Sequence, residues 1–349
     1  MIETILADMT EQIDETALRQ AGEILRGGGL VAFPTETVYG LGADALNAES
    51  SRKIYAAKGR PSDNPLIVHI AKLEDLYRIA AEVPKAAEKL AKKFWPGPLT
   101  MIFKKADCVP YATTGGLDTV AVRMPDNEIA LKLIEAGGGY VAAPSANTSG
   151  RPSPTTAQHV AEDMNGRIEM ILDGGNVGIG VESTIVDLSE DVPLILRPGY
   201  INRDMLKEEI GEVKLDPALL SVDGTIRPKA PGMKYRHYAP KADMIIIEGQ
   251  TEDVICEINR RIEEERKAGG NPGVIASEET KDRYVGAIVK SMGSRKDELS
   301  ISRHLYSVLR AFDEEGVSRI FSESFDTPML GTAIMNRLEK AAGHQILEV

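Results

Sequence analysis

Apolar and polar positions alternate along this chain in two periods, one helical and one extended. ETALRQAGEILRGGG, residues 15–29, reads as an amphipathic helix ended by glycines. LVAFPT follows as a strand, and AESSRKIYAAKG as a second helix with Gly59 as its stop. PLIVHI then reads as a strand, PKAAEKLAKKF as a helix, and LTMIFKK and TVAVRMP as strands. EIALKLIEAGG is a helix, YVAAPSA a strand, and another helix starts from Thr155. MILDGG, STIVDL and LILRPG complete the series as strands. Such mixed order predicts an α/β domain with a sizeable twisted, mixed sheet. Within PLIVHI, period two places Leu66, Val68 and Ile70 on one face and Ile67 and His69 on the other.

From Val222 to Lys241 the texture changes to VDGTIRPKAPGMKYRHYAPK, with three prolines and no apolar period, which predicts an extended linker. Beyond it, MIIIEG, PGVIAS, YVGAIVK and RIFSESF are buried-type strands separated by helical stretches, a second, small α/β unit. The expected division is therefore residues 1–221, a linker at 222–241, and residues 242–349.

A chain of 349 residues supports two domains. A hydrophobic fraction of 42% and a charged fraction of 27% belong to a globular protein. The net charge of −12 argues against a nonspecific nucleic-acid binder but leaves room for a local cationic pocket. Cys108 and Cys256 make no disulfide framework, and five scattered histidines show no zinc spacing. Cys256 is expected as a small core residue of a helix, and His304 at the surface of one. The acidic N-terminus has no signal-peptide core and no apolar run reaches a membrane span, so a cytosolic protein is expected.

No GxxxxGK[ST], GxSxG or kinase set is present, and GGNVGIG at 174–180 fits turns better than a dinucleotide fingerprint. KGRPSDNP concentrates donors: Lys58 in the last helical turn and Arg60 just past it serve either as helix caps or as an anion site. FPTETVYGLG (33–42) and PSANTSGRPSP (144–154) are polar, glycine-bearing stretches that follow strands. Each is either a plain loop or a place where hydroxyls and amides approach a ligand. Arg123, Ser183, Thr184 and Arg197 fall at strand ends, where open α/β sheets bind ligands.

Taken together, KGRP, PSAN and PTETVYGLG resemble the KxR and SxN signature of the YrdC/YwlC family, the threonylcarbamoyl-AMP synthases, in order from Val31 to Gly199. The tail resembles the longer Sua-type members, in which a linker joins the YrdC-like domain to a small Rossmann-like domain, and KYRHYAP resembles their linker motif. The resemblance implies a nucleotidyltransferase. It would convert L-threonine, bicarbonate or carbon dioxide, and ATP to threonylcarbamoyl-AMP and pyrophosphate. A separate transferase complex would then use the adenylate to modify adenosine beside the anticodon of tRNA.

The matching positions imply roles. Lys58, Arg60, Ser145 and Asn147 carry catalysis; these four, with Asn64, Thr119, Ser153 and Arg197, contact ATP. L-Threonine is expected at Thr35 or Thr37, His69, Arg123, Ala143 and Ser183, with Arg123 on the substrate carboxylate. Tyr235 or His237 would fold over the nucleotide as part of a lid. Magnesium is the expected metal; Glu36 and Glu182 are candidate ligands, with exposed structural carboxylates as the alternative for each. Direct tRNA binding stays open. Two other classes compete: an RNA-binding module, against which the acidic charge speaks, and the carbamoyl transfer of hydrogenase-maturation proteins, whose cysteine-rich zinc motifs are missing.

Overall fold

Local signals set the helix ends. Asp14 accepts hydrogen bonds from the N–H groups of Thr16 and Ala17 and so starts the helix Glu15–Arg26. Asn47 does the same for Ala48–Lys58 through the N–H groups of Glu49 and Ser50. That helix stops where Gly59 turns left-handed (φ 61°, ψ 35°), letting Arg60 N–H bond back to Tyr55 O at 2.9 Å. The computed structural model describes residues 2–219 and 238–349. Tyr235 and His237 lie outside the described residues.

The described residues form two compact units: 2–149, 153–178 and 182–219 make the first, and 150–152, 179–181 and 238–349 the second. In the first unit eleven strands form one mixed sheet. They are β1 (Ile5–Asp8), β2 (Val31–Phe33), β3 (Gly40–Asp44), β4 (Ile67–His69), β5 (Leu99–Lys104) and β6 (Thr119–Arg123). β7 (Val141–Ala142), β8 (Met170–Asp173), β9 (Thr184–Asp187), β10 (Leu194–Arg197) and β11 (Lys214–Leu215) follow. Their spatial order is β1-β8-β2-β3-β7-β4-β6-β5-β9-β10-β11.

The alternation in PLIVHI sorts the two faces of this sheet. Leu66, Val68 and Ile70 join the main core with Met101, Phe103, Val122 and Val186. Ile67 belongs to a smaller cluster with Ile102, Ala121, Ile185 and Leu196 on the opposite face. The register lines up one row across six strands on that second face: Val141, His69, Arg123, Thr100, Ile185 and Arg197. Side chains directly opposite in a ladder share a face, so this row brings residues from across the sequence together.

The second unit is a parallel five-stranded sheet. Its strands are β12 (Asp243–Glu248), β13 (Pro272–Ala276), β14 (Ile288–Ser291), β15 (Arg319–Glu323) and β16 (Ile346–Glu348), in the order β14-β13-β15-β12-β16. The helix Thr251–Lys267 packs on it through Val254, Ile255, Ile258 and Ile262.

Three features differ from the sequence reading. The glycine-bearing GLGAD is a strand, β3, because Gly42 allows close approach: a Cβ there would sit 2.9 Å from Val141 Cγ1. Ile5–Asp8, which carries no clear pattern, is a strand because β8 supplies a parallel partner. Cys256 is exposed, since it stands off the buried stripe of its helix. His304 is exposed, and its Nδ1 lies 3.1 Å from Met292 O. No helix among the described residues is long and apolar enough to cross a membrane.

Candidate active site

Three distant stretches, PTETVYGLG, PSANTSG and KGRP, are laced together by backbone hydrogen bonds. Tyr39 N–H donates to Pro154 O at 2.9 Å, and Tyr39 O accepts from Ala146 N–H at 2.9 Å. Leu41 N–H donates to Pro144 O and Ser149 N–H to Lys58 O, at 2.8 and 2.9 Å. The buried Lys58 ammonium then donates to the carbonyls of Ser145 and Asn147, and reaches Asn147 Oδ1 at 3.4 Å. Asn147 Oδ1 also accepts from Ser145 Oγ at 2.5 Å. One cation thus fixes the turn that carries two expected catalytic side chains.

Arg60 is buried as well, donating from Nε to Asn64 O at 3.3 Å and from Nη2 to Pro65 O at 3.2 Å. Gly59 turns the chain inward and both cations enter the protein. Asn64 is 2% exposed, and its Oδ1 is buried without a hydrogen-bond partner. Such an orphan acceptor is what a ligand donor would satisfy. Thr119, half-buried, stands two residues before the Ile67–Ala121 pair, level with Pro65. The strands β4 and β6 therefore run from an Arg60–Asn64–Thr119 end to a His69–Arg123 end.

At that second end Arg123, 4% exposed, donates from Nη1 to Thr37 Oγ1 at 2.9 Å and from Nε to Gly97 O at 3.4 Å. Its Nη2 lies 2.7 Å from Glu36 Oε2. Thr35 Oγ1 donates to Val38 O at 2.7 Å and accepts from the N–H groups of Thr37 and Val38, so it shapes the turn holding Glu36. His69 is buried edge-on to Phe33, with ring centroids 6.1 Å apart, and its Nδ1 lies 3.2 Å from Ile67 O. Burial, then the Arg123 charge, push the imidazole down to about 3, so it is neutral around pH 7. Ala143 is tied by its N–H to Ile67 O at 2.8 Å.

Across the row, Arg197 donates from Nε to Ser183 O at 3.0 Å and from Nη2 to Ser183 Oγ at 3.1 Å. Ser183 Oγ shares a 2.8 Å hydrogen bond with Thr100 Oγ1. Arg123 and Arg197 stand three strands apart, roughly 14 Å at the usual strand spacing, with Thr100 and Ser183 between them. Ser153 Oγ donates to Glu182 Oε1 at 2.6 Å. The buried Tyr39 hydroxyl donates to Gly175 O at 2.7 Å. Burial and the Asp173 charge raise its pKa, so it stays protonated.

Two participants escaped the sequence reading. Thr100 looks like an ordinary strand residue until the register places it beside Arg123. The sequence offers Glu36 as a metal-ligand candidate or an exposed structural carboxylate; in the structure its side chain is 13% exposed and paired with Arg123. No group of three or more His, Cys, Asp or Glu that could hold a metal ion occurs among the described residues.

Comparison with known proteins adds an independent line. A family model described as "Telomere recombination" (Sua5_yciO_yrdC) matches residues 23–199. A second, "Threonylcarbamoyl-AMP synthase, C-terminal domain", matches residues 201–343. The chain is 51% identical over 348 residues to the threonylcarbamoyl-AMP synthase of Pyrococcus abyssi, covering 99% of this chain and 100% of that protein. It is 48% identical over 343 residues to that of Bacillus subtilis, covering 97% of each. A solved structure described as P. abyssi Sua5 complexed with L-threonine superposes with a TM-score of 0.94 at 49% identity, covering 99% of this chain and 100% of that one. The chain belongs to the Sua5/YrdC family of threonylcarbamoyl-AMP synthases, in its longer, two-domain form.

Proposed function

We propose that this protein joins L-threonine, bicarbonate or carbon dioxide, and ATP into threonylcarbamoyl-AMP with release of pyrophosphate, a nucleotidyl transfer. The observation that carries this reading is the sheet row. Two arginines stand three strands apart in it: Arg123 suits the amino-acid carboxylate, and Arg197, beside hydroxyls, suits phosphate.

In this reading the threonine amine adds to carbon dioxide, and a carbamate oxygen attacks the α-phosphorus as pyrophosphate leaves. Positioning and charge stabilisation supply the catalysis, without a covalent nucleophile. Lys58, Arg60 and Arg197 clamp phosphate oxygens. Each already bonds a carbonyl of its own surroundings, which supports a preorganised cradle. Asn64, Thr119, Ser145, Asn147 and Ser153 contact the nucleotide, and Asn64 Oδ1 accepts from it. Thr35, Thr37, His69, Arg123, Ala143 and Ser183 surround threonine.

Magnesium, when bound, would offset the negative charge of the ATP phosphates. By the resemblance of the linker motif, Tyr235 or His237 would contact the nucleotide, and residues 242–349 would form the separate C-terminal domain. The product passes to a transferase acting on tRNA.

The deciding experiment is pyrophosphate release from ATP. Release should require both threonine and bicarbonate. Release without threonine, or no release at all, rejects the reading.

A further inference from the structure

The amino-acid end of the row contains three buried polar atoms that make no hydrogen bond: Arg123 Nη2 and both carboxylate oxygens of Glu36. The charges attract, with Nη2 and Oε2 2.7 Å apart, yet the groups are not aligned as donor and acceptor. The side chains are 5% and 13% exposed, so bulk water does not complete them. Buried polar atoms are almost always paired. A cluster of three orphans, two acceptors and one donor, calls for a ligand with the opposite set.

Neither residue is placed to repair the mismatch. Arg123 is held by Gly97 O and Thr37 Oγ1. Glu36 lies in the turn that Thr35 Oγ1 ties with the N–H groups of Thr37 and Val38. The hydroxyls of Thr35 and Thr37 share a 2.9 Å hydrogen bond, and His69 is neutral. An α-amino acid is a zwitterion with both complementary parts on one carbon. Its carboxylate would give Arg123 Nη2 an aligned acceptor, and its ammonium offers up to three N–H groups to a carboxylate.

We propose that Glu36 is the residue that recognises the α-ammonium group of the amino-acid substrate, working as a pair with Arg123 on the carboxylate. The assignment rests on the synthase reading above, and it makes Glu36 a binding residue rather than a metal ligand. It explains why a glutamate stands between two buried threonines on the turn facing Arg123.

The test is calorimetric titration of the full chain, without ATP or metal, with L-threonine and with 3-hydroxybutanoate, the same carbon chain without the amine. Wild-type protein should prefer threonine by about tenfold or more, the scale of one charge-assisted contact. Glu36→Gln, nearly identical in shape, should bind the two acids within about twofold of each other. Glu36→Asp, which keeps the charge, should retain much of the preference, and it carries the test if the glutamine variant does not fold. An unchanged preference in Glu36→Gln overturns the proposal. So does an equal loss for both acids, which marks a structural role. Tighter threonine binding also overturns it, because Glu36 would then be a competitor for Arg123. Loss of the preference in Glu36→Asp counts against it too. Wild-type protein that binds neither acid rejects the synthase reading itself.

Discussion

His69 and Arg123 stand opposite each other in the parallel register of β4 and β6, a neutral imidazole beside a permanent cation. Burial disfavours the charged imidazole first, and the guanidinium disfavours it again. The pair therefore carries one positive charge, not two.

Stability should carry the mark of this histidine. Its pKa falls from 6.5 to about 3 on folding. Between those values the unfolded chain binds a proton that the folded chain refuses, so this contribution weakens as pH falls through that window. The slope is at most about 1.4 kcal/mol per pH unit. Denaturant unfolding of His69→Gln from pH 7 to pH 4 should show a shallower decline than wild type. An identical decline would show that His69 is not neutral when folded.

Lys58→Met removes an ammonium while keeping most of the side-chain length. The carbonyls of Ser145 and Asn147 lose their donor. The expected result is about 1–3 kcal/mol lower stability and a fall of about 100-fold or more in kcat/KM for ATP. Threonine binding measured without ATP should change much less, because Arg123 is anchored separately through Thr37 and Gly97.

Thr100→Val keeps the strand but deletes the hydroxyl that Ser183 Oγ bonds. Ser183 also anchors Arg197, so the change should raise KM for ATP several-fold and cost about 1 kcal/mol of stability. Steady-state kinetics with threonine saturating would detect the shift. An unaltered KM would separate Arg197 from the nucleotide.

Gly199 and Gly59 make a matched pair of alanine substitutions. A Cβ on Gly199 would lie 2.5 Å from Thr184 N and 2.8 Å from Glu182 O, both backbone atoms, so the open end of the β9–β10 pair must shift. A Cβ on Gly59 meets nothing within 4 Å and bears only the left-handed φ of 61°. Gly59→Ala should cost about 1–2 kcal/mol. Gly199→Ala should cost more, with a larger loss of pyrophosphate release. The order is read from unfolding midpoints.

Where local chemistry decides, the linear chain was enough. Gly59 marks the end of its helix because a left-handed C-terminal turn favours glycine at that one position. The alternation of Leu66 to Ile70 sorted two faces because a strand has period two whatever it pairs with. KGRP, PSAN and PTETVYGLG, standing in order, pointed to one family and one reaction. What they could not convey was register. Thr100 joins Arg123 and Ser183 only because β5 pairs with β6 and β9 at that level, a choice made by burial of whole sheet faces. Nor could KGRP convey that Lys58 and Arg60 are interior cations. The orphaned atoms of Glu36 and Arg123 exist only in three dimensions, since a missing hydrogen bond depends on every neighbour that fails to supply it.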